Sequence, residues 1–163
     1  MKKQKKHSRL GILFLYGCFV ELFCGTLAYM ATSQFGVLDK AIALIRSFAT
    51  PLSSIFGLFF GCVFAAWLVL FQFSDEFGAW LEWRGVRGLI STAFLLHLSV
   101  FVVATLFTYI INTKSNPAFS RATYFVVCIG TLNMLSSMLL IHNLIKLQSV
   151  FKYERKKTNP YTE

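Results

Sequence analysis

The chain has 163 residues, of which 56% are hydrophobic and 14% are charged, and its mean hydropathy is +0.61. Soluble domains carry about 25% charged residues, so these values exclude an ordinary soluble domain as well as a disordered, collagen-like or coiled-coil chain. The net charge of +9 resides in segments that flank apolar ones. It therefore predicts contact with anionic lipid headgroups and not with nucleic acid.

Four apolar stretches are each long enough to cross a bilayer. They contain 22, 22, 23 and 24 residues and lie at 10–31, 52–73, 89–111 and 122–145. A helix needs about 20 residues to cross a hydrocarbon core about 30 Å thick. The sequence therefore predicts an all-α integral membrane protein, with four transmembrane helices in an antiparallel bundle that forms one domain over residues 1–163.

The first stretch follows the basic segment 1–9 and so resembles the start of a secretory signal peptide. We expect it to be retained as a membrane helix for two reasons. It is longer than the usual signal core of about 7 to 15 residues, and it carries Glu21 near its middle.

The connections between the stretches predict surface structure. Within residues 35–48, apolar residues recur at helical spacing, which favours a short amphipathic helix along the membrane interface between helices 1 and 2. Residues 75–88 mix five charged residues with Trp80 and Trp83. Tryptophan is enriched at membrane interfaces, so we expect both side chains to act as interfacial anchors.

Lysine and arginine are divided unequally between the two sides of these stretches. Segments 1–9, 74–88 and 146–163 carry twelve of them, whereas segments 32–51 and 112–121 carry four. The positive-inside rule then predicts that both termini are cytoplasmic, with basic tails at 1–9 and 146–163. We expect a bacterial inner or plasma membrane, with an endomembrane as the alternative.

Three polar residues, Glu21, His97 and Asn133, fall inside predicted spans, where lipid offers them no partner. At a rise of about 1.5 Å per residue, Glu21 lies about 16 Å and His97 about 12 Å from the cytoplasmic side. These two side chains can therefore meet, and Asn133 is a second candidate partner. Glu21 is either a polar staple between helices or part of a proton or substrate relay. We favour the staple, because a relay needs several ionisable groups in sequence.

Two intramembrane histidines on neighbouring spans, His97 and His142, are also the pattern of a bis-histidine haem b site. Their depths differ by about 7 Å, so one haem would have to tilt steeply to reach both. The four cysteines lie inside spans without a Cys-x-x-Cys pair, which indicates packing residues and no zinc module. We therefore expect no cofactor and no metal.

Small residues occupy every fourth position of the second span. They form a helix-packing seam, along which lipid-embedded helices approach closely: Ser53, Gly57, Gly61 and Ala65. The spacing leaves open whether the neighbouring helix belongs to this chain or to another protein.

Two resemblances concern the layout of the chain. Its length, topology and basic termini resemble the inner-membrane immunity proteins that neutralise pore-forming colicins, which implies a toxin's inserted helices as partner. Residues 75–77 together with residues 84–88 resemble Golgi tetraspan proteins of the COPI-associated kind, with a shorter spacing here. Neither resemblance includes a diagnostic motif, so the sequence assigns no family.

The sequence contains no catalytic motif, and we expect no enzyme. The favoured function is that of a small non-enzymatic polytopic membrane protein. It would be a subunit, accessory or assembly factor of a membrane complex and would act through intramembrane helix packing. Its partners would be the lipid bilayer and other membrane protein subunits. The alternatives are an immunity-type protein that binds a pore-forming toxin in the membrane, or a haem b or proton-relay subunit of a redox or transport complex.

Overall fold

The computed structural model describes the backbone of residues 8–72, 75–113 and 116–158, and the side chains of residues 19–69, 76–113 and 116–155. Within these ranges the structure is all-helical and contains no strand. Its six helices, in chain order, are α1 (Ser8–Gln34), α2 (Leu38–Ser47), α3 (Ala49–Gln72), α4 (Asp75–Trp83), α5 (Arg87–Ile110) and α6 (Pro117–Thr158).

Three of these helices are long and apolar enough to cross a membrane. Among the described residues the candidate segments are Ala49–Val69 in α3, Arg87–Ile110 in α5 and Pro117–Arg155 in α6, and they overlap the second, third and fourth predicted spans. The first predicted span, 10–31, falls in α1, and the side chains of its residues 10–18 lie outside the described residues. The three apolar helices indicate a membrane location for the chain.

Two turns between helices depend on glycine. Gly36 follows the end of α1 and Gly85 follows the end of α4, with φ angles of 65° and 68°. This left-handed conformation costs other residues about 1–2 kcal/mol. In the second turn the Val86 amide donates to the carbonyl oxygen of Leu81 at 3.0 Å, the bond of a Schellman motif, which ends a helix and redirects the chain.

The short helix predicted within residues 35–48 is present as α2. Its apolar face is buried through Leu38, Ile42 and Ile45. On its polar side, Nη2 of Arg46 donates a hydrogen bond to Oγ of Ser120 at 2.7 Å. Since Ser120 lies in the first turns of α6, this bond and the buried face hold α2 against that end of the packed helices.

The core lies between α3, α5 and α6 and contains the fully buried rings of Phe56, Phe94 and Phe101. Gly130 of α6 faces this core. A Cβ atom at position 130 would lie 2.9 Å from Cε1 of Phe56 and 3.1 Å from Cβ of Ala104, distances too short for ordinary carbon contacts. The close approach of α6 to its two neighbours therefore requires glycine at this point.

Helix α6 continues well beyond its predicted span, through Thr158, and its extension packs on α4. The Phe151 ring lies 5.7 Å from that of Trp80 between ring centroids. Nε1 of Trp80 donates to the Glu154 carboxylate at 3.0 Å, and Nη2 of Arg84 reaches both Glu154 oxygens, at 2.6 and 2.9 Å. These contacts give the C-terminal part of α6 a folded partner, so the predicted basic tail is helical where the structure describes it.

We expect Gly130→Ala to destabilise the isolated protein by about 1–3 kcal/mol, the usual cost of overpacking a tight core. The added methyl group would push α6 away from Phe56 and Ala104. The measurement is the unfolding midpoint of the purified protein in detergent, by heat or by titration with a denaturing detergent.

Gly57→Ala on α3 is the matched control, because a Cβ atom at position 57 meets no other atom within 4 Å. This variant should be neutral, or more stable by up to about 1 kcal/mol, since alanine favours the helix over glycine. Equal midpoints for the two variants would contradict the packing described for Gly130.

Candidate functional site

A buried polar cluster joins three helices near their middles. It consists of Glu21 on α1, His97 on α5, and Asn133 and Ser136 on α6. Glu21 has thirteen helical residues on either side, so it lies about 20 Å from each end of α1. Three of these residues, Glu21, His97 and Asn133, are the intramembrane polar residues singled out in the sequence, and the structure brings them together.

The Asn133 amide holds His97 by two hydrogen bonds. Nδ2 of Asn133 donates to the backbone carbonyl oxygen of His97 at 3.0 Å, and Oδ1 of Asn133 pairs with Nδ1 of the imidazole. The first bond fixes the orientation of the amide, so Oδ1 is the acceptor and Nδ1 of His97 carries the proton. Both residues are buried. The pair therefore links α5 to α6 through one contact between side chains and one between a side chain and the backbone.

Glu21 is bound to α6 through Ser136, whose hydroxyl donates to Oε1 of the carboxyl group. The same Oε1 lies 3.8 Å from Nδ1 of His97, which is too far for a hydrogen bond. Glu21 is thus adjacent to His97, one of its two predicted partners, but its direct hydrogen-bond partner is Ser136.

Ser136 is the residue of the cluster that sequence reasoning missed. Its position three residues after Asn133 places it on the same face of α6, which was the available signal. A serine inside a membrane helix normally bonds a carbonyl oxygen of the preceding turn, and Oγ of Ser136 also lies 3.4 Å from the Leu132 carbonyl oxygen and 3.3 Å from that of Asn133. A serine within an apolar stretch therefore does not by itself indicate a contact with another helix.

The helix face that carries Glu21 is packed closely against α6. A Cβ atom at Gly25, one turn after Glu21, would lie 2.7 Å from Cγ1 of Ile129. Gly17 and Cys18 precede Glu21 by four and three residues and so belong to the same helix face; they lie outside the residues whose side chains the structure describes. Small size at Gly25 thus allows α1 to approach α6 near the polar cluster.

A groove of about 250 Å³ opens beside the cluster between α1, α5 and α6. Apolar side chains form most of its wall, and Glu21 and Asn133 lie at its base. Its outer edge is formed by exposed residues, so the groove opens sideways, toward the space that lipid would occupy. The lining residues are Glu21, Leu22, Leu96, Ser99, Val100, Val103, Val126, Ile129 and Asn133.

The cluster does not have the geometry of hydrolytic catalysis. A serine nucleophile needs a base such as an imidazole within hydrogen-bond reach. Within the described residues, the Ser136 hydroxyl bonds the Glu21 carboxyl group and backbone carbonyl oxygens, while Nδ1 of His97 bonds Asn133. The arrangement is suited to holding helices and to presenting one carboxyl group at the base of a groove.

The two histidines considered for haem are not brought together. His97 is buried against Asn133 of α6, whereas His142 is exposed and lies nine residues after Asn133 on the same helix. Nine residues correspond to about 14 Å along the helix axis. In the part of the chain that the structure describes, no three His, Cys, Asp or Glu side chains are grouped so as to hold a metal ion.

The packing seam predicted on α3 has no close neighbour among the described residues at its two glycines. Gly57, Gly61 and Ala65 are exposed and Ser53 is half-buried, and Cβ atoms added at both glycines would meet nothing within 4 Å. The sequence left open whether the helix that packs on this seam belongs to this chain or to another protein. No described residue of this chain occupies the face at Gly57 and Gly61.

The two predicted interfacial anchors have different environments. Trp83 is 76% exposed, as an interfacial side chain would be. Trp80 is half-buried between α4 and α6, where it bonds Glu154 and lies under the Arg84 guanidinium, 4.5 Å from the ring centroid. Trp80 thus takes part in packing inside the chain.

No protein-family model matches the chain, and no curated protein or solved structure matches it significantly. The class of the protein is therefore defined by its structure, an all-helical protein with three candidate membrane-spanning helices among the described residues.

We expect Asn133→Leu to destabilise the protein more than Glu21→Leu. Loss of the amide leaves the buried Nδ1–H of His97 unpaired, which costs about 1–3 kcal/mol. Loss of the Glu21 carboxyl group frees Ser136 to bond the carbonyl oxygens of its own helix. That loss should cost about 0.6 kcal/mol, the mean for hydrogen bonds between membrane helices. Unfolding midpoints in detergent give the comparison.

Glu21→Gln serves as the control, because its amide oxygen still accepts the Ser136 hydroxyl. A structural staple predicts that this variant keeps both stability and cellular function. A Glu21→Gln protein that folds normally and has lost its function would instead favour a proton relay, since an amide does not exchange a proton.

Proposed function

We propose that this chain is a small non-enzymatic membrane protein that acts as a subunit or accessory or assembly factor of a membrane complex, through packing of its α3 face on a helix of another protein. The observation that carries the proposal is the outward direction of Gly57 and Gly61. Lipid tails supply no hydrophobic force between helices, so a face of small residues serves close contact with another helix.

The contrast among the glycines of the membrane helices supports this proposal. Gly25 and Gly130 face neighbouring helices of the chain, where an added Cβ atom would lie within 3 Å of Ile129 or Phe56. Gly57 and Gly61 have no such neighbour among the described residues. Glycine weakens a helix interior relative to alanine by about 1 kcal/mol, and at positions 57 and 61 no contact among the described residues explains its use.

The proposed arrangement in the membrane has four spans in an antiparallel bundle, with α1 as the first. Its 27 residues exceed the length required to cross the hydrocarbon core. An even number of crossings puts both termini on one side, and the twelve lysines and arginines of segments 1–9, 74–88 and 146–163 favour the cytoplasm for that side. Helix α2 then lies along the opposite interface, and a bacterial inner or plasma membrane is the proposed location.

The orientation is tested by cysteine labelling in a chain whose native cysteines have been replaced. With an impermeant thiol reagent on intact cells or spheroplasts, we expect Lys40→Cys to be modified and Lys152→Cys to be protected. Membrane permeabilisation should expose Lys152→Cys, which controls for its reactivity. Labelling of Lys152→Cys alone in intact cells would reverse the orientation.

The α3 interface is tested by Gly57→Ile and Gly61→Ile. A bulky β-branched side chain on the seam should separate the partner helix, so we expect recovery of the native complex in mild detergent to fall by at least about tenfold, or 1.4 kcal/mol. The unfolding midpoint of the isolated chain should change little, because a Cβ atom at position 57 or 61 meets no described residue of another helix within 4 Å.

Leu58→Ile is the matched control, since Leu58 is 66% exposed on the same helix and the change conserves volume. This variant should recover the complex as the wild type does. If Gly57→Ile, Gly61→Ile and Leu58→Ile all recover the complex equally, the seam is not an interface. Mass spectrometry of the proteins that elute with the wild type and not with Gly61→Ile identifies the partner.

A further inference from the structure

The groove between α1, α5 and α6 has the Glu21 carboxyl group at its base, and one of the two carboxyl oxygens has no hydrogen-bond partner among the described residues. Glu21 lines the groove and is only 6% exposed. Its Oε1 accepts the Ser136 hydroxyl. Among the described residues no hydrogen bond reaches its second oxygen, Oε2. Oε2 is accordingly open to the groove and not fully buried. A carboxyl oxygen without a partner is costly in an apolar environment, so a ligand that donates a hydrogen bond to it would be stabilised there.

The depth of the groove limits the class of ligand. His97, adjacent to Glu21, has ten residues of α5 before it and thirteen after it, which places it about 15 and 20 Å from the two ends of that helix. Charged lipid headgroups stay in the interfacial layers outside the hydrocarbon core, which is about 30 Å thick. A molecule whose polar group reaches Glu21 must therefore have a weakly polar, uncharged head.

The size of the groove limits the ligand further. A cavity of about 150 Å³ accepts a benzene molecule, so about 250 Å³ is sufficient for one substituted ring and the first carbons of its chain. The exposed side chains of Leu96 and Val103 at its edge leave a path for an apolar chain into lipid.

We propose that this groove binds a lipid-soluble phenol or hydroquinone, with the ring between α1 and α5, the hydroxyl group donating to Oε2 of Glu21, and the apolar chain directed into the bilayer. A phenolic hydroxyl is more acidic than an aliphatic one, with a pKa near 10, and is accordingly the stronger donor to a carboxyl oxygen. The site involves α1, α5 and α6, and is independent of the α3 face proposed for protein contact.

The test uses the full chain in nanodiscs of uncharged phosphatidylcholine and radiolabelled 4-octylphenol, with binding to empty nanodiscs subtracted. We expect saturable binding with one phenol per chain. Unlabelled 4-octylphenol should displace the label, and its methyl ether, which lacks the donor, should compete at least about tenfold less well. Displacement by the ether at equal concentration, or no binding above that of empty nanodiscs, would overturn the proposal.

Two neighbouring valines provide a matched pair of variants. Val102 and Val103 are both 42% exposed, and of the two only Val103 lines the groove. Val103→Phe should fill the groove and weaken phenol binding by at least about tenfold, whereas Val102→Phe should bind as the wild type does. Equal affinities for the two variants would place any bound phenol elsewhere, in contradiction to the proposal.

Variants of Glu21 test the hydrogen bond itself. Glu21→Leu should weaken phenol binding by about tenfold and abolish the preference over the methyl ether. In Glu21→Gln the one amide oxygen accepts the Ser136 hydroxyl, and an –NH2 group, which donates and does not accept, replaces Oε2. This variant should therefore also lose the preference for the phenol over the methyl ether. Gly57→Ile should bind phenol normally, which separates this site from the α3 interface. A Glu21→Leu protein that is folded by circular dichroism and still prefers the phenol would refute the assignment.

Discussion

The two hydrogen bonds between Asn133 and His97 are the constraint around which the other helix contacts are arranged. Lipid supplies neither water to satisfy a polar group nor a hydrophobic force to press helices together. A side-chain amide that binds both the imidazole and the backbone of one residue fixes the axial position of α5 against α6. A slip by one helical turn, about 5.4 Å, would break both bonds and leave buried polar groups without partners.

Close approach of the backbones makes that polar contact possible. Gly130 lies three residues before Asn133, against Phe56 and Ala104, and Gly25 lies one turn from Glu21, against Ile129. Each glycine brings a helix near enough for a short polar side chain to span the gap. The same residue type has another consequence on α3, where Gly57 and Gly61 meet no described neighbour and leave a smooth outward face.

The junction between α4 and α6 is held mainly by aromatic packing. The Arg84–Glu154 ion pair is partly exposed, at 25% and 44% of the two side chains, and such pairs contribute at most about 1 kcal/mol. The Trp80 and Phe151 rings pack against each other there, with 5.7 Å between ring centroids, and the Trp80 indole also bonds Glu154. Charged residues at this junction orient α4, while the rings attach it to the extension of α6.

The sequence by itself determined the helical class, the amphipathic α2 and four apolar stretches, three of which overlap the candidate membrane segments of the structure. Helix length and periodicity follow directly from the pattern of apolar residues. It also singled out Glu21, His97 and Asn133, since a polar residue is exceptional within an apolar run. Only the tertiary structure decided that Ser136 binds Glu21, that α6 continues onto α4 and that a groove opens beside the cluster. Periodicity fixes which residues share a helix face, whereas the rotation of each helix against its neighbours, and hence what that face meets, depends on how all the helices pack together.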